Sequence, residues 1–133
     1  MQLSDQVRDF LRERRFAVLA TIDETGLPQQ TVMWYDLDDD DVLMNTARGR
    51  LKDRYLQRDP RASICVEDGY RYVTIAGTVT LDDDPAQAQA DIARLARRYE
   101  GERADRMIAN FEQQARVTMR LRIERVIANG FDR

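Results

Sequence analysis

The strongest constraint on the fold is a strict alternation of apolar and polar residues near the end of the chain. Within the segment 116–127, apolar side chains occupy every second position from Val117 to Ile123, and the positions between them are polar or charged. The apolar positions are Val117, Met119, Leu121 and Ile123. Successive side chains of a β-strand point to opposite faces, so this period of two places all four on one face. The segment is the clearest strand in the chain, and the fold must contain a sheet that accommodates it.

Five further segments have the composition and length of strands. They cover 16–22, 29–37, 42–45, 61–66 and 70–81. Most of them are joined as hairpins, because the polar and glycine-containing turns 23–28, 38–41 and 68–69 separate them. Gly77 lies inside the segment 70–81, and a glycine in a strand interior predicts a bulge or bend.

Four helices are expected between these strands. Ser4 caps a first helix over 5–14. A second helix follows Gly49 and ends before Pro60, because the residue before a proline avoids helical geometry. The other two cover 85–99 and 103–114. Six strands and four helices in a single domain, residues 1–133, predict a mostly β fold: a small antiparallel barrel with helices packed on its outside.

The composition excludes several kinds of chemistry. The 133 residues include no histidine and a single cysteine, Cys65. Without histidine there is no Ser-His-Asp triad and no histidine-ligated haem or zinc, so an enzyme of this composition depends on an organic cofactor. One cysteine excludes an internal disulfide, in keeping with a cytoplasmic location. The net charge of -3 argues against a nucleic-acid partner, and the apolar runs are shorter than the ~20 residues of a membrane span.

The basic segment 48–54 contains the only lysine of the chain, Lys52, among 21 basic residues. Three arginines accompany it, namely Arg48, Arg50 and Arg54. The segment follows a strand and opens a helix, whose free N–H groups and positive dipole end suit a phosphate. Two aspartates lie nearby, so an ordinary solvated helix with ion pairs fits the pattern equally well. Asn45 and Thr46 can add hydrogen bonds to the same anion, or form a cap and turn.

Two other segments combine polar and aromatic side chains. Residues 29–35 carry amides, a hydroxyl group and large aromatic rings on one strand. Such a strand either supports a flat heterocycle beside the phosphate or forms core and rim. Tyr70 and Tyr72 are two positions apart and therefore share one strand face. They line either a ligand or a subunit interface, and their spacing favours neither.

Several of these segments, taken in order, resemble one known family. They are 16–22, the turn 26–29, the basic stretch 45–62, and 70–73 with Gly77 and Thr78. Together they resemble the pyridoxamine 5'-phosphate oxidase-like split β-barrel proteins, specifically the branch that uses the deazaflavin coenzyme F-420. The basic stretch, which ends in Arg-Asp-Pro-Arg-Ala, is the most specific part. The fold that this resemblance implies is a six-stranded antiparallel split β-barrel.

The resemblance also implies roles for individual residues. Arg50 and Lys52 match the family's phosphate-binding Arg-x-Lys pair. Beside the phosphate and its linker would lie Asn45, Thr46 and Ala47. The deazaflavin ring would be flanked by residues of the second strand, namely Gln29, Thr31, Val32 and Met33. Tyr70 and Tyr72 would reach in from the partner subunit of a homodimer that carries two cofactor sites at its interface.

The implied function is that of an F-420-dependent oxidoreductase, a reductase that transfers hydride between the deazaflavin and an unsaturated small molecule. No catalytic side chain is assigned. True pyridoxamine phosphate oxidases carry basic residues on the strand before the Arg-x-Lys pair, whereas 29–37 has none, and their histidines are missing here. Both departures disfavour a vitamin oxidase. The alternatives are an FMN-binding flavoprotein of the same fold and a non-catalytic F-420- or flavin-binding protein.

Overall fold

The computed structural model describes residues 3–131. The first element of the fold is helix α1 (Asp5–Arg12). Strands β1 (Ala17–Ile22) and β2 (Pro28–Met33) form one hairpin, and β3 (Asp36–Asp38) and β4 (Asp41–Ala47) form another. Helix α2 (Leu51–Arg58) leads into β5 (Arg61–Glu67) and β6 (Tyr72–Asp82). Helix α3 (Pro85–Glu100), a 3-10 turn (Gly101–Arg103) and helix α4 (Ala104–Phe111) precede the long strand β7 (Arg116–Asn129).

The strands form one antiparallel sheet in the order β2-β1-β5-β6-β7-β4-β3. The sheet is open, with β2 and β3 at its two edges, yet Met33 of β2 and Leu37 of β3 belong to the same apolar core. The two ends of the sheet therefore converge, as in a split barrel. The predicted mostly β, antiparallel split-barrel fold with packed helices is confirmed. The predicted number of six strands is wrong, because residues 3–131 contain seven.

The additional strand arises because the predicted strand 29–37 is interrupted at Trp34 and Tyr35. The backbone N–H of Tyr35 donates to the hydroxyl of Tyr99 (3.0 Å), and its carbonyl accepts from Nε of Arg98 (2.9 Å). These backbone groups would otherwise belong to a strand ladder, so side chains of α3 end β2 at Met33. The chain then turns, and β3 pairs with β4 instead of β1.

Gly77 marks a β-bulge, which confirms the prediction from its position inside a strand. Ala76 faces Arg125 and Gly77 faces Ile123, so Glu124 is the extra residue of β7. A Cβ atom on Gly77 would lie 1.8 Å from the carbonyl oxygen of the neighbouring Arg122, a distance that no side chain tolerates. The close approach of the two backbones at the bulge therefore requires glycine.

Hydrogen bonds to polar side chains determine where helix α1 and strand β6 begin. The hydroxyl of Ser4 accepts from the N–H of Val7 (3.2 Å), which confirms the cap of α1. Strand β6 starts two residues later than predicted, because the carboxylate of Asp68 accepts from the N–H groups of Tyr70 (3.2 Å) and Arg71 (2.8 Å). These bonds hold Tyr70 in a turn, so it does not share a strand with Tyr72.

Helices α3 and α4 pack side by side, and α3 lies across β4 and β7. Ile92 and Leu95 of α3 are buried against the sheet. The four alternating apolar residues of β7, from Val117 to Ile123, are at most 1% exposed, which confirms their predicted inward face. Within residues 3–131, no helix has the length and hydrophobicity required to cross a bilayer.

Candidate functional site

A cavity of about 290 Å³ lies where the ends of β2 and β4 meet the start of α2 and helices α3 and α4. Its polar lining consists of Asn45, Thr46, Arg50, Lys52 and Arg116. Its apolar lining consists of Val32, Met33, Trp34, Ile92, Leu95, Met107 and Phe111. One part of the cavity is thus cationic and the other apolar, a combination that suits an organic anion.

The structure brings six of the predicted site residues together in this cavity. They are Val32, Met33, Asn45, Thr46, Arg50 and Lys52. Gln29, Thr31 and Ala47 lie on the same strands but outside the lining. Tyr70 lies in the turn before β6, and Tyr72 is the first residue of that strand.

Arg50, Lys52 and Arg116 form what we call the cation cluster. Within residues 3–131, none of the three makes an ion pair with a carboxylate. Burial lowers the pKa of Lys52, and the charges of Arg50 and Arg116 lower it further. Burial and the charge of Arg50 likewise lower the pKa of Arg116 to about 10. The three cations repel one another in a partly desolvated site, and a bound anion would relieve that repulsion.

The first turn of α2 adds backbone donors to the cation cluster. Arg50 is the N-cap residue of the helix, and its side chain makes no capping hydrogen bond. The N–H groups of the first helical turn have no partners within the helix, so they are available to an anion. Asp53 in the same turn does not compensate the cluster, because its buried carboxylate accepts from the N–H of Gly49 (2.8 Å) and from Nη1 of Arg48 (3.1 Å).

The basic residues of 48–54 therefore divide by role. Arg48 pairs with Asp53 and also with Asp83 (3.2 Å), and Arg54 is exposed on α2. Only Arg50 and Lys52 line the cavity. Ion pairing explains one part of the segment, and an anion site fits the other.

Arg116 is the polar residue of the cavity lining that the sequence did not single out. Its Nε donates to Oδ1 of Asn45 (3.0 Å), and its Nη1 donates to Oε1 of Gln114 (2.6 Å). Its guanidinium lies 4.7 Å from the ring centroid of Phe111. Nδ2 of Asn45 donates in turn to the carbonyl of Ala88 (3.0 Å). In the sequence Arg116 is simply the first polar residue of the alternating segment, so only the tertiary structure reveals its position.

Trp34 forms part of the apolar wall, and its ring is fixed by aromatic contacts. It stacks on Tyr99, with 5.3 Å between ring centroids and 10° between planes. It also meets Phe111 edge to face at 6.4 Å. Aromatic pairs of this kind hold both rings in place, so the wall presents a preformed apolar surface.

Strand β2 offers unused polar groups beside this wall. It is an edge strand, so one side of its backbone has no strand partner within residues 3–131. The hydroxyl oxygen of Thr31 is buried and makes no hydrogen bond with any described residue. Gln29 is only weakly engaged, through the hydroxyl of Thr21 at 3.5 Å. An unpaired buried hydroxyl group is costly, and that of Thr31 lies outside the cavity lining.

The two tyrosines are exposed and lie outside the cavity lining. Tyr70 is 83% and Tyr72 is 38% exposed. Their expected role, contact with a cofactor bound to the other subunit, therefore remains a prediction that concerns an assembly of two chains.

The fold and the cavity together define a split-barrel protein with a cavity lined in part by cationic side chains. The family model described as pyridoxamine 5'-phosphate oxidase matches residues 3–130, and the chain belongs to this family.

Solved structures of the same fold carry several descriptions. A conserved hypothetical protein from Mycobacterium tuberculosis is 27% identical, with a TM-score of 0.82 over 96% of this chain and 84% of that one. A protein described as an F-420 reductase is 24% identical, with a TM-score of 0.78 over 94% of this chain and 98% of that one. The haem storage protein from Vibrio cholerae is 20% identical, with a TM-score of 0.74 over 98% and 97%.

Proposed function

We propose that this protein is an F-420-dependent oxidoreductase that holds the coenzyme's phosphate at the cation cluster and acts on an unsaturated small molecule. The observation that carries the proposal is the cation cluster itself. Its three side chains have no carboxylate partner within residues 3–131, and they line a cavity whose other wall is apolar. A phosphate here would accept from Arg50, Lys52 and the free N–H groups of α2.

The rest of the lining fits a flat heterocycle. Val32, Met33 and Trp34 offer it an apolar surface, while the free edge of β2 offers hydrogen bonds to its rim. When bound, the deazaflavin supplies the hydride chemistry. The chain's own contribution is to hold the ring, orient it toward substrate and exclude water from its buried side.

The cavity lining contains no carboxylate, histidine or tyrosine. A proton for the reduced product would therefore come from water or from Tyr72 of the partner subunit. This lining also favours a second candidate, a non-catalytic carrier of the same cofactor. One protein of the same fold, that from Vibrio cholerae, is described as a storage protein.

Two observations support F-420 over FMN as the ligand. A protein described as an F-420 reductase shares the fold over nearly the whole of both chains. Strand β2 contains no lysine or arginine that could add to the phosphate site. FMN is the alternative ligand, because its phosphate would use the same donors of the cation cluster.

The proposal includes a homodimer that buries the outer face of the sheet, which is the face turned away from the apolar core. An aligned row of mostly apolar side chains crosses this face from β2 to β7, namely Val32, Val18, Cys65, Thr74 and Ile127. Val32 is 66% and Ile127 is 51% exposed, and exposed apolar patches mark interaction surfaces. Tyr72 shares this face of β6, two residues before Thr74. A second copy seated here would bring each Tyr72 toward the other subunit.

Ligand titration tests the cofactor assignment. The purified protein is titrated with F-420 and with FMN, followed by fluorescence, and the titrations are repeated with Lys52→Ala and with the exposed-site control Arg54→Ala. We expect tighter binding of F-420, weakened by Lys52→Ala and unchanged by Arg54→Ala. Tight FMN binding without F-420 binding would overturn the assignment.

Two further measurements test turnover and assembly. Consumption of reduced F-420 with a panel of enones and quinones supports the reductase, whereas binding without any turnover supports the carrier.

Light scattering should give the mass of a dimer for the wild type and a lower mass for Ile127→Lys. A monomeric wild type would refute the proposed interface.

A further inference from the structure

We infer that Arg116 is a third phosphate ligand of this cavity and that Asn45 is its positioning residue. The inference rests on the proposed function, because it assumes that the cavity binds a phosphate. It assigns a role to a residue of β7 that neither the motif of the basic segment nor the resemblance identified. It also changes the role of Asn45, which was expected to contact the anion itself.

The guanidinium of Arg116 is held in place before any ligand binds. Asn45 and Gln114 accept from two of its nitrogens, and Phe111 lies beneath it. Its third nitrogen, Nη2, makes no hydrogen bond with residues 3–131. An arginine fork that is already ordered loses little conformational entropy when it binds an oxyanion.

The partners that hold Arg116 are neutral amides. A carboxylate in either place would fix the side chain equally well but would cancel its charge. Asn45 and Gln114 position the guanidinium and leave its full positive charge in the cavity beside Arg50 and Lys52. This pattern is expected of a side chain that awaits an anion from outside the protein.

The loop that carries Gln114 is itself anchored. Nε2 of Gln89 on α3 donates to the carbonyls of Phe111 (2.9 Å) and Gln114 (3.1 Å). The N–H of Arg48 donates to the carbonyl of Ala115 (2.8 Å), which ties the same loop to the segment between β4 and α2. The position of Arg116 is therefore fixed relative to the start of α2, where Arg50 and Lys52 lie.

Asn45 acts through Arg116 because both ends of its amide are engaged. Oδ1 accepts from Arg116 and Nδ2 donates to the carbonyl of Ala88 on α3. Asn45 is 5% exposed, so it is a buried bridge between α3 and the arginine.

The test compares ligands that carry a phosphate group with counterparts that lack it, and FMN and riboflavin differ in that group alone. The pairs are FMN with riboflavin, and F-420 with its phosphate-free deazaflavin chromophore. For Arg116→Gln we expect affinity for the phosphate-bearing member to fall by about 10- to 100-fold, with no change for the phosphate-free member. Asn45→Asp should act in the same direction, because a carboxylate there cancels the charge of Arg116. Arg122→Gln, at an exposed position of the same strand, is the matched control and should bind both members as the wild type does.

The possible failures are distinguishable. If Arg116→Gln keeps the wild-type ratio of affinities while Lys52→Ala lowers it, Arg116 is not a ligand, and the proposed function stands. An equal loss for both members of a pair would mean that Arg116 only supports the fold, which also overturns the inference. If the wild type does not prefer the phosphate-bearing member, the anion site and the proposed function both fail. Should Arg116→Gln not fold, as judged by thermal unfolding, Arg116→Lys serves in its place and should retain only part of the phosphate preference.

Discussion

Two clusters of basic residues in this protein use the same kind of side chain in opposite ways. Around β3, three arginines form ion pairs with two aspartates. Asp38 pairs with Arg120 (2.5 Å) and Arg94 (3.6 Å). Asp36 pairs with Arg94 (3.1 Å) and Arg98 (3.7 Å). We call these five residues the carboxylate-paired cluster. In the cation cluster, three basic side chains share a cavity without any such partner in the described chain.

The pKa values of the two clusters differ accordingly. In the carboxylate-paired cluster, the hydrogen bond with Asp38 raises the pKa of Arg120, and Arg120 lowers that of Asp38. In the cation cluster, burial and mutual repulsion lower the pKa values of Lys52 and Arg116. The first arrangement stabilises the folded chain, whereas the second opposes folding and would favour a bound anion. The pKa values of the basic side chains therefore shift in opposite directions in the two clusters, as expected if the cation cluster is the proposed anion site.

The largest effect is expected when the cation cluster loses two charges. The double variant of Arg50→Ala and Lys52→Ala should bind F-420 at least about a hundredfold more weakly, because each charge-assisted contact contributes roughly 1.5–3 kcal/mol. Fluorescence titration measures the loss. The counterpart double variant, Arg94→Ala with Arg120→Ala, should keep its affinity and lose stability instead. Equal affinities for the two double variants would contradict the contrast between the clusters.

The ammonium group of Lys52 should become protected when the cavity is filled. Because Lys52 is the only lysine, an amine acylating reagent modifies a single side chain, which mass spectrometry separates from the N-terminal amine. F-420 at ten times its dissociation constant leaves about a tenth of the sites open, so acylation of Lys52 should slow about tenfold. Binding should also raise the pKa of Lys52, since a phosphate replaces repulsion by attraction. An unchanged rate at saturating ligand would place the phosphate elsewhere.

Breaking the carboxylate-paired cluster should lower the stability of the fold without lowering the affinity for F-420. Asp38→Asn removes one charge-assisted partner of Arg120, and we expect about 1 kcal/mol of lost stability, or a fall in Tm of about 4 °C. Lys52→Met, in the cation cluster, should not lower Tm, because it removes a repelled charge. Thermal unfolding in phosphate-free buffer compares the two. A larger loss for Lys52→Met than for Asp38→Asn would contradict the distinction.

The smallest expected effect is the pH dependence of that stability difference. The pKa of Asp38 in the folded chain lies below its ordinary value of 3.8, chiefly because Arg120 donates a hydrogen bond to it. Its contribution is therefore fully present above pH 3.8 and is lost as the pH falls through the folded value. Denaturant unfolding of wild type and Asp38→Asn should differ at pH 7 and converge in acid. A difference that persists at the lowest accessible pH would assign the loss to packing instead of charge.

Local patterns predicted most of the fold. The alternation from Val117 to Ile123, the cap at Ser4, the helix end before Pro60 and the bulge at Gly77 all depend on residues close in sequence, and each is confirmed. The interrupted strand was not predictable in this way. It depends on Tyr99, which lies 64 residues from Tyr35.

The candidate site shows the same division. Arg50 and Lys52 belong to a short motif that the sequence displays. Arg116 reaches the cavity through contact with Asn45, 71 residues away, and no local pattern marks such a pair. The sequence also allowed ion pairs with the nearby aspartates, and the structure shows that the pair is Arg48 with the buried Asp53.

The bulge at Gly77 has a consequence for the far end of β7. Up to Ile123 the buried apolar side chains of the strand carry odd numbers. Beyond Glu124 the parity reverses, so that Val126 packs against the core and Ile127 is 51% exposed. An unbroken alternation would have placed Ile127 inside. One inserted residue thus shifts the phase of the strand and converts a core position into a surface hydrophobe. That surface hydrophobe is the last member of the apolar row on which a second subunit is proposed to sit.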